Sequence, residues 1–82
     1  MNPTTEILTI LQEEAAEVIR IVSKIHRFGK HPDNMKGLEQ ELGDLQCMIN
    51  LCIEHHLVDE TMLQIRTKEK REKLKTWSNI PL

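Results

Sequence analysis

The sequence is poor in aromatic residues and cysteine, and each shortage excludes a class of protein. Its 82 residues include one Trp, one Phe and no Tyr, so we expect no aromatic platform for stacking nucleic-acid bases. Cys47 and Cys52 are five residues apart, about 140° around a helix, and no CxxC or Cys/His zinc spacing occurs. We therefore predict two reduced thiols and a cytoplasmic protein.

Long apolar runs and several common catalytic motifs are also missing. We expect neither a signal peptide nor a membrane span. No Gly-rich phosphate loop occurs, and the absence of ExxH argues against a ferritin-like di-iron site. Residues 1–65 carry 5 basic and 11 acidic side chains, a net charge of −6, which disfavours nucleic-acid binding.

What remains is a short, charged chain with helical periodicity throughout. The length predicts one domain, residues 1–82, of the all-α class. Such a short chain has little core of its own and no disulfides to brace it. We therefore predict that three helices complete a four-helix-type bundle by homo-oligomerisation, as a homodimer or a homotetramer.

Start and stop signals place the first and third helices. Residues 3–5 are typical of a helix start, and Gly29 should end the first helix after Phe28. Asp59 should cap a third helix that ends near Trp77. Residues 66–82 carry 6 basic and 2 acidic side chains, so this last segment has a net charge of +4.

The second helix is predicted from about Met35 to His55, with Asp33 or Asn34 as its cap. Gly37 and Gly43 are weak points in it. Gly43 lies inside an acidic motif, where the missing side chain is predicted to allow close helix approach or room for a ligand.

Two apolar stripes follow the first helix. One runs from Leu8 to Ile25 without interruption and predicts a packing seam. The other contains Ile7 and Ile10 but is interrupted by the carboxylates of Glu14 and Glu17. Unpaired carboxylates among apolar side chains cost several kcal/mol, so we expect a divalent cation to offset them.

The second helix repeats this arrangement. A seam from Leu38 to Cys52 is flanked by Glu41 and Asp44, which are one turn apart among apolar neighbours. Two antiparallel helices would bring the four carboxylates together. An oxygen-rich site of this kind suits a hard cation such as Mg²⁺ or Mn²⁺.

The two acidic motifs also carry a family resemblance. Glu13-Glu14-x-x-Glu17 followed by Glu41-x-x-Asp44 resembles the EExxE…ExxD signature of the MazG-like all-α nucleoside triphosphate pyrophosphatases, in particular their small phage-type members. The similarity extends over most of the chain, in residues 11–19, 27–29, 38–44 and 73–79.

The resemblance implies an enzyme and assigns its residues. Glu14, Glu17, Glu41 and Asp44 would hold Mg²⁺, and Glu13 would orient a water or help to hold a second ion. The implied reaction is hydrolysis of a (deoxy)nucleoside triphosphate to the monophosphate and pyrophosphate by metal-activated water. The implied fold is a helical bundle assembled from dimers or tetramers.

Cationic and polar side chains are candidates for substrate binding. Lys24 lies one heptad beyond Glu17 on the same stripe, and Arg27 follows near the helix end. Lys70 and Lys73 share a face of the third helix with Arg66, and Asn50 lies on a polar strip of the second helix. Ordinary solvated surface charge is an equal alternative for each cation.

Two other classes of function stay open at this stage. One is a non-catalytic helical oligomerisation or regulatory module whose acidic residues form inter-subunit salt bridges. The other is a nucleotide-binding sensor that keeps the metal site but turns over poorly. Pyrophosphate release, metal dependence and nucleotide binding distinguish the three.

Overall fold

Three α-helices account for the ordered backbone, and no β-strand is present. The computed structural model describes residues 1–82. Helix α1 spans Pro3–Phe28, α2 spans Pro32–Glu54 and α3 spans Glu60–Trp77. The predicted all-α class with three helices is confirmed.

Helix α1 begins at Pro3, within the predicted start, but its N-cap lies one residue earlier. Asn2 is the N-cap, and its Oδ1 accepts a hydrogen bond of 2.8 Å from the Thr5 amide, so Pro3 is already helical. Gly29 ends the helix as predicted, with φ at 96° and its N–H donating to the Ile25 carbonyl. A positive φ suits glycine, which has no Cβ to clash.

The predicted start of α2 at Met35 is wrong by one turn. The helix begins at Pro32, whose fixed φ suits the first turn. Proline lacks an N–H, but an N–H at this position would have no acceptor within the helix. Neither proposed cap serves as one. Asp33 lies in the first turn, and Asn34 is buried and donates its Nδ2 to the Gly29 carbonyl at 3.0 Å.

Backbone geometry ends α2 at the α2–α3 connection, and a side chain caps the start of α3. His56 takes a left-handed φ of 57°, and the Leu57 N–H donates to the Cys52 carbonyl at 2.9 Å. This 6→1 bond is a Schellman motif, and it turns Leu57 onto the apolar cluster. Asp59 caps α3 as predicted, accepting from the Met62 amide at 3.0 Å.

Helices α1 and α2 form an antiparallel hairpin, which is the one extensive helix–helix contact. Its core is a cluster of three buried side chains, Ile7, Met48 and Cys52, at the open end of the hairpin. At the other end a Cβ on Gly37 would lie 2.9 Å from Ile21 Cδ1, so the glycine lets the Ile21 side chain approach α2 closely. The side chains packed around the cluster are Ile10, Leu11, Leu51 and Leu57.

Close approach at Gly43, which the sequence suggested, does not occur within the chain. A Cβ there would meet nothing within 4 Å. The predicted packing seams are likewise incomplete, because Leu8 is 49% exposed and Leu42 is 46% exposed. The hairpin covers only part of each apolar stripe, since Leu11 packs against the cluster whereas Leu8, on the same stripe, is exposed.

The molecule is flattened and extended, with principal dimensions of 39 × 31 × 15 Å. Its radius of gyration is 15.1 Å, against about 12 Å for a compact domain of this length. None of the helices combines the length and the apolar character needed to cross a membrane.

Candidate metal centre

The hairpin interface continues from the apolar cluster into a group of three carboxylates. Glu14 of α1 faces Glu41 and Asp44 of α2, and one carboxylate oxygen from each lies within 4.8 Å of the others. Glu41 and Asp44 are three residues apart, so one face of α2 presents both. Glu14 and Glu41 are half-buried and Asp44 is exposed, which leaves one side of the group open.

Burial and the neighbouring negative charges both affect the pKa of Glu14. Loss of hydration raises the pKa of Glu14 above its ordinary value of 4.5, and the negative charges of Asp44, Glu41, Glu17 and Glu13 raise that pKa further, in that order. A cation at the centre would remove the repulsion. The raised pKa therefore marks a position where negative charge is concentrated.

The three side chains fit a hard divalent cation. Carboxylates are the oxygen ligands that Mg²⁺ and Mn²⁺ prefer. Adjacent ligands of an octahedral Mg²⁺ are about 3.0 Å apart at a bond length of about 2.1 Å, so the carboxylates, now within 4.8 Å of one another, would have to rotate closer together to bind one ion. The exposed side leaves room for water and phosphate oxygens.

The fourth predicted ligand, Glu17, is not in this group. Its Oε2 lies 3.7 Å from Arg20 Nε, one turn further along α1. Glu17 and Glu41 nevertheless line the same small cavity of about 70 Å³, so the Glu17 carboxylate lies next to the cluster. Glu13, the predicted catalytic residue, is exposed beside it on α1.

Basic side chains of α1 line the surface next to the carboxylates. Lys24 and Arg20 complete the small cavity that Glu17 and Glu41 line. Arg27 lines a neighbouring cavity of about 250 Å³ and lies over the Phe28 ring at 5.8 Å. The sequence reasoning missed Arg20, although its spacing of three from Glu17 was the available signal.

The remaining candidates for substrate binding lie elsewhere. Asn50 is exposed and accepts a hydrogen bond from Gln46 on the outside of α2. Lys70 and Lys73, expected to share a face with Arg66, line different grooves of α3. No cavity is lined by residues of both α3 and the hairpin. Within one chain these side chains do not meet the carboxylates.

Comparison with protein-family models, with curated proteins and with solved structures finds no match for the chain. The function is therefore inferred from the residues of the site itself. Its decisive feature is the convergence of Glu14, Glu41 and Asp44 from two helices, with cations on the adjoining surface of α1.

Proposed function

We propose that the protein is a Mg²⁺-dependent nucleoside triphosphate pyrophosphohydrolase that converts a (deoxy)nucleoside triphosphate to its monophosphate and pyrophosphate. The single observation that carries this proposal is the meeting of Glu14, Glu41 and Asp44 across the hairpin. The resemblance of the two acidic motifs to those of MazG-like pyrophosphatases supports it. Mn²⁺ fits the same oxygen ligands.

Each part of the site has a task in this reaction. When bound, Mg²⁺ would neutralise phosphate oxygens, lower the pKa of a bound water and align it with the leaving pyrophosphate. Glu14, Glu41 and Asp44 would hold the ion and leave its open side to the substrate. Glu13 would orient the attacking water, and Lys24 would attract the phosphates.

The active form in this proposal is a homo-oligomer, a dimer or a tetramer. Only four residues of the single chain are buried, and its exposed side chains include twelve large hydrophobic ones. A stable domain packs its elements around a shared core, and here only α1 and α2 pack extensively against each other. A second copy would cover the stripe that contains Leu8 and the apolar residues of α3, such as Trp77, which is 83% exposed.

The test is pyrophosphate release from a panel of nucleoside triphosphates with Mg²⁺ and with EDTA. Glu14→Gln keeps the shape of the side chain but removes its charge. It should lower kcat/KM by more than the roughly 10- to 100-fold that is lost when a group that only hydrogen-bonds to a metal ligand is removed. Glu39→Gln is the matched control, because Glu39 is exposed on α2 and has no ion pair.

Three outcomes separate this function from its alternatives. Turnover that needs Mg²⁺ and is lost in Glu14→Gln but kept in Glu39→Gln supports the enzyme. Nucleotide binding without turnover indicates a sensor. No turnover and no nucleotide binding, with Glu14→Gln changing only the mass in analytical ultracentrifugation, indicates an oligomerisation module.

A further inference from the structure

An ion pair between Arg20 and Glu17 on α1 lies beside the carboxylate cluster. Arg20 Nε is 3.7 Å from Glu17 Oε2, and the two side chains are 82% and 41% exposed. An exposed pair three residues apart contributes little to stability, because water and salt screen it. A stronger anion can therefore replace Glu17 on Arg20 at small cost.

Glu17 is within side-chain reach of the cluster. Residues three apart lie on one face of a helix, so Glu17 is a neighbour of Glu14 along α1. It also shares the small cavity of about 70 Å³ with Glu41, and this volume is several times the roughly 15 Å³ that one water requires. Rotation of the Glu17 side chain, without any backbone movement, can bring its carboxylate to the cluster.

Arg20 is also part of a surface that suits phosphate. Together with Lys24 it lines both the small cavity and the neighbouring one of about 250 Å³, so the two cavities adjoin along α1. The chain contains three salt bridges, and neither Lys24 nor Arg27 takes part in one. A guanidinium group binds phosphate through paired, charge-assisted hydrogen bonds, which are stronger than its contact with one carboxylate oxygen at 3.7 Å.

We propose that Arg20 exchanges Glu17 for a phosphate group of the substrate, and that this exchange releases Glu17 to become the fourth ligand of the metal. The inference rests on the proposed function, because it requires a metal and a polyphosphate at this site. Arg20 is then a positioning residue. By linkage, polyphosphate and metal each strengthen the binding of the other.

The experiment uses Mn²⁺ alone as the probe, with no phosphate present, and measures its dissociation constant by titration calorimetry on the full chain. Arg20→Gln breaks the ion pair and frees Glu17 without substrate. It should tighten Mn²⁺ binding roughly five- to tenfold, the lower part of the usual range for coupled sites. Glu17→Gln should change the affinity by less than about twofold in the wild-type background and should cancel the gain in the Arg20→Gln background.

Two controls separate ligation by Glu17 from the simple loss of a positive charge. Arg66→Gln breaks an equivalent pair with Glu69, at 3.1 Å and the same spacing, on α3, and should leave Mn²⁺ binding unchanged. The titrations are repeated in 1 M salt, where the screening length is about 3 Å. A gain that persists in salt and needs Glu17 supports the exchange, whereas one that salt abolishes or that survives Glu17→Gln overturns it.

Failure of this inference is distinguishable from failure of the proposed function. If the wild type binds Mn²⁺ and releases pyrophosphate but Arg20→Gln binds Mn²⁺ no more tightly, only the exchange is wrong. If the wild type binds no Mn²⁺, both proposals are wrong. As a second readout, Arg20→Gln should raise KM for the triphosphate and reduce its dependence on salt.

Discussion

The interface between α1 and α2 has two regions that use the same helix stripe in opposite ways. At the open end of the hairpin, Ile7 packs with Met48 and Cys52, and all three are buried. One to two turns further along α1, Glu14 takes the position of an apolar residue and faces Glu41 and Asp44. The first region stabilises the hairpin, whereas the second concentrates like charges that oppose its folding.

This difference shows how a small helical chain divides its stability and its chemistry. Apolar burial at one end holds the helices in register, so that carboxylates in the middle are held together despite their repulsion. Substitutions in the two regions should therefore act in opposite directions. Truncation of an apolar side chain should lower stability and leave metal binding unchanged. Neutralisation of Glu14 should raise the stability of the metal-free protein and weaken metal binding.

The largest effect on stability is expected at the apolar end. Met48→Ala should lower the free energy of unfolding by about 2 kcal/mol, the lower end of the range for buried Met, because the cluster has only three buried members. Urea denaturation of the metal-free protein measures it. Met62→Ala, at a side chain that is 60% exposed on α3, is the matched control and should change stability by less than about 0.5 kcal/mol. Equal losses in the two variants would contradict a core at this end.

Metal binding should give the next largest effect, and only through the acidic region. Mg²⁺ at ten times its dissociation constant should add about 1.4 kcal/mol to the free energy of unfolding. Thermal unfolding with and without Mg²⁺ measures this shift. Met48→Ala should keep the shift and Glu14→Gln should lose it. A shift of the same size in Glu14→Gln would place the ion elsewhere.

Two glycines of α2 should respond differently to the same substitution. Gly43→Ala should raise the free energy of unfolding by roughly 0.5–1 kcal/mol, because alanine favours helix and the new Cβ meets nothing. Gly37→Ala should lose that gain, since its Cβ would lie 2.9 Å from Ile21 Cδ1 and that side chain must move. Chemical denaturation of both variants makes the comparison, and equal gains would mean that Gly37 is not a point of close contact.

The smallest effect should be the pH dependence that Glu14 contributes. Because the folded-state pKa of Glu14 is raised above 4.5, the folded chain holds this proton more tightly than the unfolded chain. The stabilisation is complete below the ordinary pKa and is lost as pH rises through the raised pKa.

In EDTA, the free energy of unfolding of the wild type relative to Glu14→Gln should therefore fall as pH increases from about 4.5 through the raised pKa. Urea denaturation of both proteins across this pH range provides the measurement. A difference that stays constant, or that grows with pH, would show that the repulsion does not fall on Glu14.

Two signals within one helical turn were read correctly from the sequence, whereas Asn2 and Pro32 were missed and signals that depend on a neighbour were not predicted. Gly29 ends α1 and Asp59 caps α3 because each acts through its own backbone or its own side chain. Asn34 has the side chain of a cap, yet it is buried and bonded to the carbonyl of Gly29 across the connection. That choice depends on where the end of α1 lies.

The sequence likewise predicted part of the candidate site and missed the rest. The spacing of Glu41 and Asp44 ensures that one face of α2 presents both, and Glu14 was placed opposite them by the antiparallel arrangement. Glu17 has an equivalent position in the pattern, but its carboxylate lies with Arg20 instead. The sequence could not choose between these partners, because both are within reach of a flexible side chain.

The sequence alone determined that this chain is helical, where two of its helices end or begin, and that its carboxylates occur in pairs on single faces. Helical periodicity is enough for this, since it depends only on residues three and four apart. The tertiary structure decided which residues of the two apolar stripes pack, that Gly37 rather than Gly43 is the point of close approach, and that three carboxylates meet while the fourth pairs with a cation. Those outcomes depend on the rotation and register of one helix against another, which residue spacing within a single helix does not determine.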